Sequence, residues 1–268
     1  MFAARAGAAK VLAVDCAEVI ARAKEAAAEN GLENRISFYR GKLEQLDELK
    51  VGVKVDAIVS EWMGYCLLYE GMLESVLYAR PLSQTWRCSL PRICNLLLCG
   101  IDSEELYQRN ALYFDNVYGV RVSFLKERCL SEPHVAYDLQ SDWVATSSAL
   151  VCSIDMLTAS AYTSAKVESV PVQLTALRDC KLHAIVGYFD VDFLGNGDAG
   201  VNVSFSTGPL SQVTHWGQTV FYLRSPISLS SGQVLEFYVS ILPPHDSPRS
   251  LLVEFDWSNG TRSEFRMD

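Results

Sequence analysis

Two glutamates nine positions apart, Glu61 and Glu70, lie in the stretch Ser60-Glu61-Trp62-Met63-Gly64-Tyr65-Cys66-Leu67-Leu68-Tyr69-Glu70-Gly71-Met72-Leu73. The residues between them are aromatic or apolar apart from one glycine, and none is basic. An ionised carboxylate only accepts hydrogen bonds, whereas a guanidinium carries five donors in a planar fork. Two acids on opposite sides of one loop could clamp one guanidinium from two directions. Trp62, Tyr65 and Tyr69 could then pack against the side chain that bears it. The same residues also fit a plainer role: a solvated Glu61, and a Glu70 that favours the dipole of a following helix.

The flanking elements must position the pair. Residues 55–60 form an apolar, β-branched run that reads as a buried strand. Leu73, Val76, Leu77 and Tyr78 recur at helical spacing. Glu61 is therefore expected at the carboxyl end of a strand, and Glu70 at the opening of the next helix. In open α/β sheets that edge is where ligands bind.

The wording Ser-Glu-Trp-Met-Gly-Tyr, followed by Tyr-Glu-x-Met-Leu, closely resembles the double-glutamate loop of the protein arginine N-methyltransferases. The likeness continues through Thr214-His215-Trp216 and covers nearly the whole chain. It implies transfer of a methyl group from S-adenosyl-L-methionine to an arginine in a protein. It gives Glu61 and Glu70 the guanidinium, and it places the Thr-His-Trp loop along the arginine pocket. Trp216 would form a wall there with Tyr65 nearby, and His215 would orient the site and assist proton departure. A lone histidine is more often structural than catalytic, and its place in Thr214-His215-Trp216 is what raises His215 above that. The partner that family members supply to this histidine lies in an upstream helix that the sequence lacks, so His215 is expected to be unanchored. Met63 and Met72 flank the glutamates as in the asymmetric-dimethylating, type I branch, although adaptable packing alone would also suit them.

The bulk properties agree with a globular chain. Its 268 residues suffice for one large or two modest domains, and 49% of them are apolar. A formal charge of −9 disfavours non-specific binding to a polyanion and suits a basic partner. No apolar run approaches the about 18 residues of a membrane span. Eight scattered cysteines form no C-x2-C pair and show no zinc spacing with histidine, so buried free thiols in a reducing compartment are expected. No basic segment followed by an apolar core marks the start as a secretory signal.

Residues 1–6 are strongly helix-forming, with Gly7 as terminus. Residues 10–15 read as a short buried strand ending in Asp15, 18–30 as an alanine-rich helix stopped by Asn30-Gly31, and 36–40 as a second strand. This alternation predicts a parallel, doubly wound sheet. The strand and glycine-rich turn that should open such a sheet are missing. The chain is therefore expected to be truncated before the glycine-rich cofactor loop. Asp15 is placed to accept hydrogen bonds from ribose hydroxyls, or to cap the following helix. The resemblance assigns Leu43 to packing beside adenine and Glu44 to its exocyclic amine.

Beyond Pro81, helix signals thin out. Cys94–Ile101 is a strand candidate. Residues 103–118 resemble the family's helical dimerisation arm, which ends here in Asn116-Val117-Tyr118-Gly119; an amphipathic helix folded back on its own chain is the alternative. From residue 165 strands dominate, at 170–174, 183–193, 201–206, 219–223, 234–242 and 250–257. Turns are expected at Gly195-Asn196-Gly197, Ser231-Gly232 and Asn259-Gly260. This pattern reads as an antiparallel barrel or sandwich, and the resemblance favours a barrel. Residues 81–93 depart from the Lys-rich, Gly-Gly turn usual in the family, at the expected domain junction.

The expected fold is thus α/β: a partial Rossmann-like methyltransferase sheet over 1–80, then an antiparallel β-barrel domain over 81–268 with a helical dimerisation arm. The expected activity is methylation of arginine, giving monomethyl and asymmetric dimethyl products in RNA-binding proteins or histones. No direct binding of nucleic acid or membrane is expected. A homodimer and an intracellular address, cytoplasmic or nuclear, complete the reading. The rivals are a catalytically inactive truncated form acting as a dimerising or regulatory fragment, and a small-molecule methyltransferase on the same sheet.

Overall fold

The computed structural model describes residues 1–46, 49, 54–83, 89–160, 166–195 and 202–268. The chain divides into two compact units, residues 1–58 with 78–86, and residues 59–77 with 87–268. The double-glutamate segment, placed by sequence with the N-terminal domain, groups with the C-terminal unit.

In the first unit, α1 (Phe2–Arg5) precedes β1 (Val11–Asp15), α2 (Val19–Glu29) and β2 (Ile36–Arg40). The two strands pair in parallel, with Asp15 opposite Arg40. Parallel neighbours need a crossover, and the alanine-rich α2 supplies it. Asn30 closes α2, Gly31 turns left-handed at φ 65°, and the Leu32 amide returns to the Ala27 carbonyl at 2.9 Å. That reversal satisfies carbonyls left open at the helix end. Ala4, Ala27 and Ile36 form the buried centre, with Val11, Ala13, Leu32 and Phe38 against it. Arg35 Nη1 donates to the Ala4 carbonyl at 3.1 Å, which ties α1 to the start of β2.

Two short strands follow, β3 (Ile58–Val59) and β4 (Ser89–Leu90). The expected buried strand over 55–60 is therefore corrected. Only two of those residues are strand, Val55 makes an isolated bridge to Ser83, and Val59 is exposed. β-branched residues favour a ladder but cannot form one without partners. The helix α3 (Leu73–Ala79) begins three residues after Glu70, so Glu70 does not open it.

The second unit is built from two antiparallel sheets. One contains β5 (Ile93–Ile101), β6 (His134–Ala136), β7 (Ala149–Asp155), β9 (Cys180–Phe193), β10 (Val203–Ser206) and β11 (Gln218–Leu229). Its path is β6-β11-β9-β5-β7, with β10 on β9. The other contains β8 (Val167–Thr175), β12 (Val234–Leu242), β13 (Leu251–Trp257) and β14 (Arg262–Met267), in the order β14-β13-β12-β8. Main-chain bonds from Ser147 to Thr175 and from Leu177 to Ala145, each 2.8 Å, join the sheets along one side. Of the two architectures left open by strand alternation, the barrel is the one formed. Sequence reading found β5 and β8 to β13 but shortened several of them. It passed over β6, β7, β14 and the helix α5 (Phe124–Ser131). Ser231-Gly232 and Asn259-Gly260 make the expected turns, with positive φ at both glycines. Residues 196–197, 201 and 84–88 lie outside the described residues.

Side chains from both sheets meet in an aromatic core. Phe221 of β11 touches Phe255 and Phe265 edge-on at centroid distances of 5.3 and 5.1 Å, and Phe237 touches Phe255 at 5.2 Å. A second buried cluster lies under the segment expected to be an arm. There α4 (Glu104–Tyr107), a π turn (Gln108–Leu112) and a 3-10 turn (Tyr113–Asp115) run in succession. Ser103 caps α4 by accepting the Leu106 amide at 3.1 Å. Leu106, Tyr107 and Ala111 are buried against Leu130, Ala184, Val186, Val220 and Tyr222.

Seven of the cysteines lie among the described residues and all are free; Cys66, Cys94 and Cys99 are buried, whereas Cys16 is exposed. Burial pushes each of those three buried thiols up to about 12, so they act as small apolar side chains rather than as nucleophiles.

Phe255 is fully buried between the sheets. Phe255→Ala is expected to cost about 3–5 kcal/mol of stability, read as a lower urea midpoint with the barrel fold otherwise retained.

Candidate functional site

The loop 60–72 follows a path that few residues tolerate. Its first half turns at Gly64, whose amide donates to the Leu67 carbonyl at 3.1 Å. A Cβ on Gly64 would lie 2.0 Å from the Tyr69 carbonyl oxygen, so no side chain fits there. Cys66, Leu67 and Glu70 all have positive φ, at 50°, 65° and 76°. Non-glycine residues in that region store strain that surrounding contacts must hold.

The barrel provides three of those contacts. Trp216 Nε1 donates to the Met63 carbonyl at 2.8 Å. The Tyr65 and Tyr137 hydroxyls lie 3.0 Å apart. The Glu70 amide donates to the Arg249 carbonyl at 2.8 Å. Beneath the loop, Trp62, Met63, Cys66, Leu67 and Leu68 are buried. Gly71 passes so close to the next strand connection that a Cβ there would meet the Pro248 carbonyl at 2.6 Å.

Above this frame the two carboxylates remain accessible. Glu61 Oε1 lies 3.7 Å from His215 Nε2, and Glu70 Oε2 lies 3.5 Å from Arg249 Nη2. Partial burial raises the Glu61 carboxyl above its ordinary value; His215 pulls it back, and Glu70 raises it further. His215 is largely exposed; its ring lies 3.8 Å from that of the adjacent Trp216 and faces Glu61. Trp216 stacks on Phe205 at 5.6 Å and meets Phe189 edge-on at 5.3 Å. Tyr65 and Tyr69 stack at 6.0 Å. Met63 is buried below the loop, while Met72 is exposed beyond it. Two acids, an imidazole and aromatic rings thus converge on one face, the chemistry expected of a site for a delocalised cation.

The first unit carries the other predicted residues. Asp15 ends β1, and its Oδ1 accepts the Ala17 amide at 2.7 Å. This bond serves the turn into α2 and leaves the exposed carboxylate a second oxygen. Leu43 and Glu44 lie in a 3-10 turn (Leu43–Gln45) just after β2, both half-buried. The carboxyl ends of two adjacent parallel strands therefore carry Asp15 and Glu44 at the same edge. That edge, at the carboxyl ends of parallel strands, is where open α/β sheets take their ligands.

Sequence reading missed Tyr137 and Arg249. Both lie far along the chain from the loop, in segments without periodicity or motif, and only barrel closure brings them near. The strain at Cys66 and Leu67 had no sequence signal either, since neither residue type favours positive φ.

Gly64→Ala is expected to lower the thermal midpoint clearly, with a loss of about 2 kcal/mol or more. Trp216→Phe, which removes one hydrogen bond and replaces the indole by a smaller ring, should cost about 1 kcal/mol for the bond and somewhat more for lost packing. Calorimetry on both variants tests whether the turn at Gly64 outweighs the tether.

Residues 93–262 match the family described as the arginine methyltransferase oligomerization subdomain. The chain is 36% identical over 262 residues to probable protein arginine N-methyltransferase 1.2 of Arabidopsis thaliana, covering 96% of this chain and 69% of that protein. It is 36% identical over 259 residues to protein arginine N-methyltransferase 1 of Dictyostelium discoideum, covering 96% and 74%. Among solved structures it resembles the Trypanosoma brucei PRMT1 enzyme-prozyme heterotetrameric complex with AdoHcy, with a TM-score of 0.87 and 34% identity, covering 100% of this chain and 84% of that one. Arabidopsis thaliana protein arginine methyltransferase 10 follows with a TM-score of 0.76 and 25% identity, covering 99% and 84%. With its Rossmann-like and barrel elements and its double-glutamate loop, this chain belongs to the protein arginine N-methyltransferase family.

Proposed function

We propose that the protein transfers methyl groups from S-adenosyl-L-methionine to the guanidino nitrogens of arginine in proteins. The observation that carries this reading is the convergence of Glu61 and Glu70, each with one oxygen toward a cationic or imidazole neighbour, on an aromatic-lined face. Asp15, Leu43 and Glu44 would hold the donor. When bound, the donor supplies a methyl group on a sulfonium with a neutral leaving group.

The protein's own residues have the harder task of handling the guanidinium. It is protonated at neutral pH, so its nitrogens are poor nucleophiles. Paired carboxylates bias the charge toward the nitrogens they hold and away from the one left free. Orientation of that nitrogen can contribute several kcal/mol, roughly 7–11 in favourable model systems. Methylation leaves the product cationic, so one proton must depart. Glu61 Oε1 and His215 Nε2, 3.7 Å apart, form a path to carry it. Trp216 and Tyr65 would wall one side of the site, and Met63 and Met72 flank the two acids in sequence as in the type I branch. The product proposed is therefore monomethylarginine followed by asymmetric dimethylarginine.

Arginine-rich segments of RNA-binding proteins or histone tails are the substrates proposed, in keeping with the net charge of −9. An intracellular compartment, cytoplasmic or nuclear, would keep the free thiols reduced. Association as a homodimer through residues 103–118 and the adjoining turn is supported by the exposure of Tyr118, Val120 and Phe124. No helix among the described residues is long and apolar enough to cross a membrane.

A labelled-methyl assay on an arginine-glycine-rich peptide, with amino-acid analysis of the product, tests the reading. Glu61→Gln should abolish turnover without lowering the thermal midpoint. The sign follows from burial: a carboxyl raised in the folded state costs stability when ionised, and glutamine removes that cost. Undiminished turnover in the variant would refute the clamp. In the unaltered protein, kcat/KM should fall on the acid side through a pH above the ordinary glutamate range, because the ionised Glu61 needed for the clamp is lost there. Absence of methylation under all conditions would favour a non-catalytic chain.

A further inference from the structure

Arg249 reaches Glu70 twice. Its carbonyl accepts the Glu70 amide at 2.8 Å, and its Nη2 lies 3.5 Å from Glu70 Oε2. The first contact supports the left-handed backbone at Glu70, where φ is 76°. The second places a resident guanidinium against one oxygen of a carboxylate that is itself read as a guanidinium ligand.

The segment bearing Arg249 is folded tightly enough to act as a mount. The Ser250 amide donates to the Ser247 carbonyl at 3.1 Å, the two serine hydroxyls lie 2.6 Å apart, and the Ser247 amide donates to the Pro244 carbonyl at 3.3 Å. Gly71 packs against the Pro248 carbonyl of the same segment. The register between Arg249 and Glu70 is thus set by main chain, and the side-chain contact follows from it.

Both side chains are largely exposed, so the ion pair contributes little to folding. Its effect is on direction. A carboxylate has two oxygens, and a cation fixed beside Oε2 leaves Oε1 for an incoming cation. At the opposite acid, His215 stands beside Oε1 of Glu61. Each glutamate therefore has one oxygen engaged from the barrel side.

We propose that Arg249 is a positioning residue for the arginine clamp: it engages one oxygen of Glu70 so that the other is presented to the substrate guanidinium. This rests on the function proposed above. Arg249 touches neither substrate nor donor in this scheme and acts through Glu70. Its positive charge also offsets that of the paired acids, so it improves orientation rather than affinity for the cation.

The signature is a split between kinetic constants. Arg249→Ala should lower kcat about tenfold and leave KM for an arginine-rich peptide unchanged or reduced, because the clamp becomes more negative but less ordered. Arg249→Lys keeps the charge within reach of Oε2 and should restore most of kcat. Unchanged kcat in the alanine variant would overturn the proposal. So would a raised KM at constant kcat, or a fall in kcat matched by a fall in thermal midpoint that lysine does not repair. If the unaltered protein methylates no arginine peptide, the functional reading fails and a second readout remains. With no peptide present, the carboxyl-carbon NMR resonance of Glu70 should move in Arg249→Ala and move less in Arg249→Lys. A resonance that stays in place would dismiss the contact itself.

Discussion

The arrangement depends on one backbone path. Between Ser60 and Met72 the chain must turn back on itself at Gly64, hold Cys66, Leu67 and Glu70 in left-handed conformations, and pass Gly71 against a neighbouring carbonyl. Nothing local favours this path, because leucine and glutamate both meet steric resistance there. It persists because hydrogen bonds from Trp216 and to Arg249, the hydroxyl contact with Tyr137, and a buried apolar underside hold it from outside. The barrel is in this sense a scaffold for a strained loop, and the loop is the part that carries the acids.

The electrostatics follow from that scaffold. Partial burial opposes ionisation of Glu61, and the nearby Glu70 carboxylate adds to that penalty. A neighbouring cation relieves both effects. The unliganded site therefore holds unfavourable charge that binding of the right ligand relaxes. The imidazole of His215 and the guanidinium of Arg249 moderate this charge without covering the acids.

The placing of the loop residues was legible in sequence because it is written locally. Glu61, Glu70, Trp216 and His215 sit in short runs whose wording is specific, and they come together as those runs suggest. β1, α2 and β2 were legible because their periodicities are clean and Asn30-Gly31 stops the helix. The errors have a common physical source. The run at 55–60 has strand composition but only a two-residue ladder, and Glu70 precedes its helix because a left-handed turn intervenes. Both depend on which partners are present, and composition does not specify partners. Tyr137 and Arg249 were invisible for the same reason: their roles exist only once distant strands have closed.

That closure also orders events during synthesis. The loop's supports come from positions 137, 216 and 249, all well downstream of the acids they hold. Contacts between such distant positions form late, since the intervening chain must first be made and its loop entropy overcome. While the first two hundred residues emerge from a ribosome, Glu61 and Glu70 are acidic side chains on a segment with no reason to adopt its final turn. The turn that sets the two acids is held in full only when residue 249 has left the ribosome and the segments bearing positions 137 and 216 have reached the loop, so the acids take their final places after the whole chain is made.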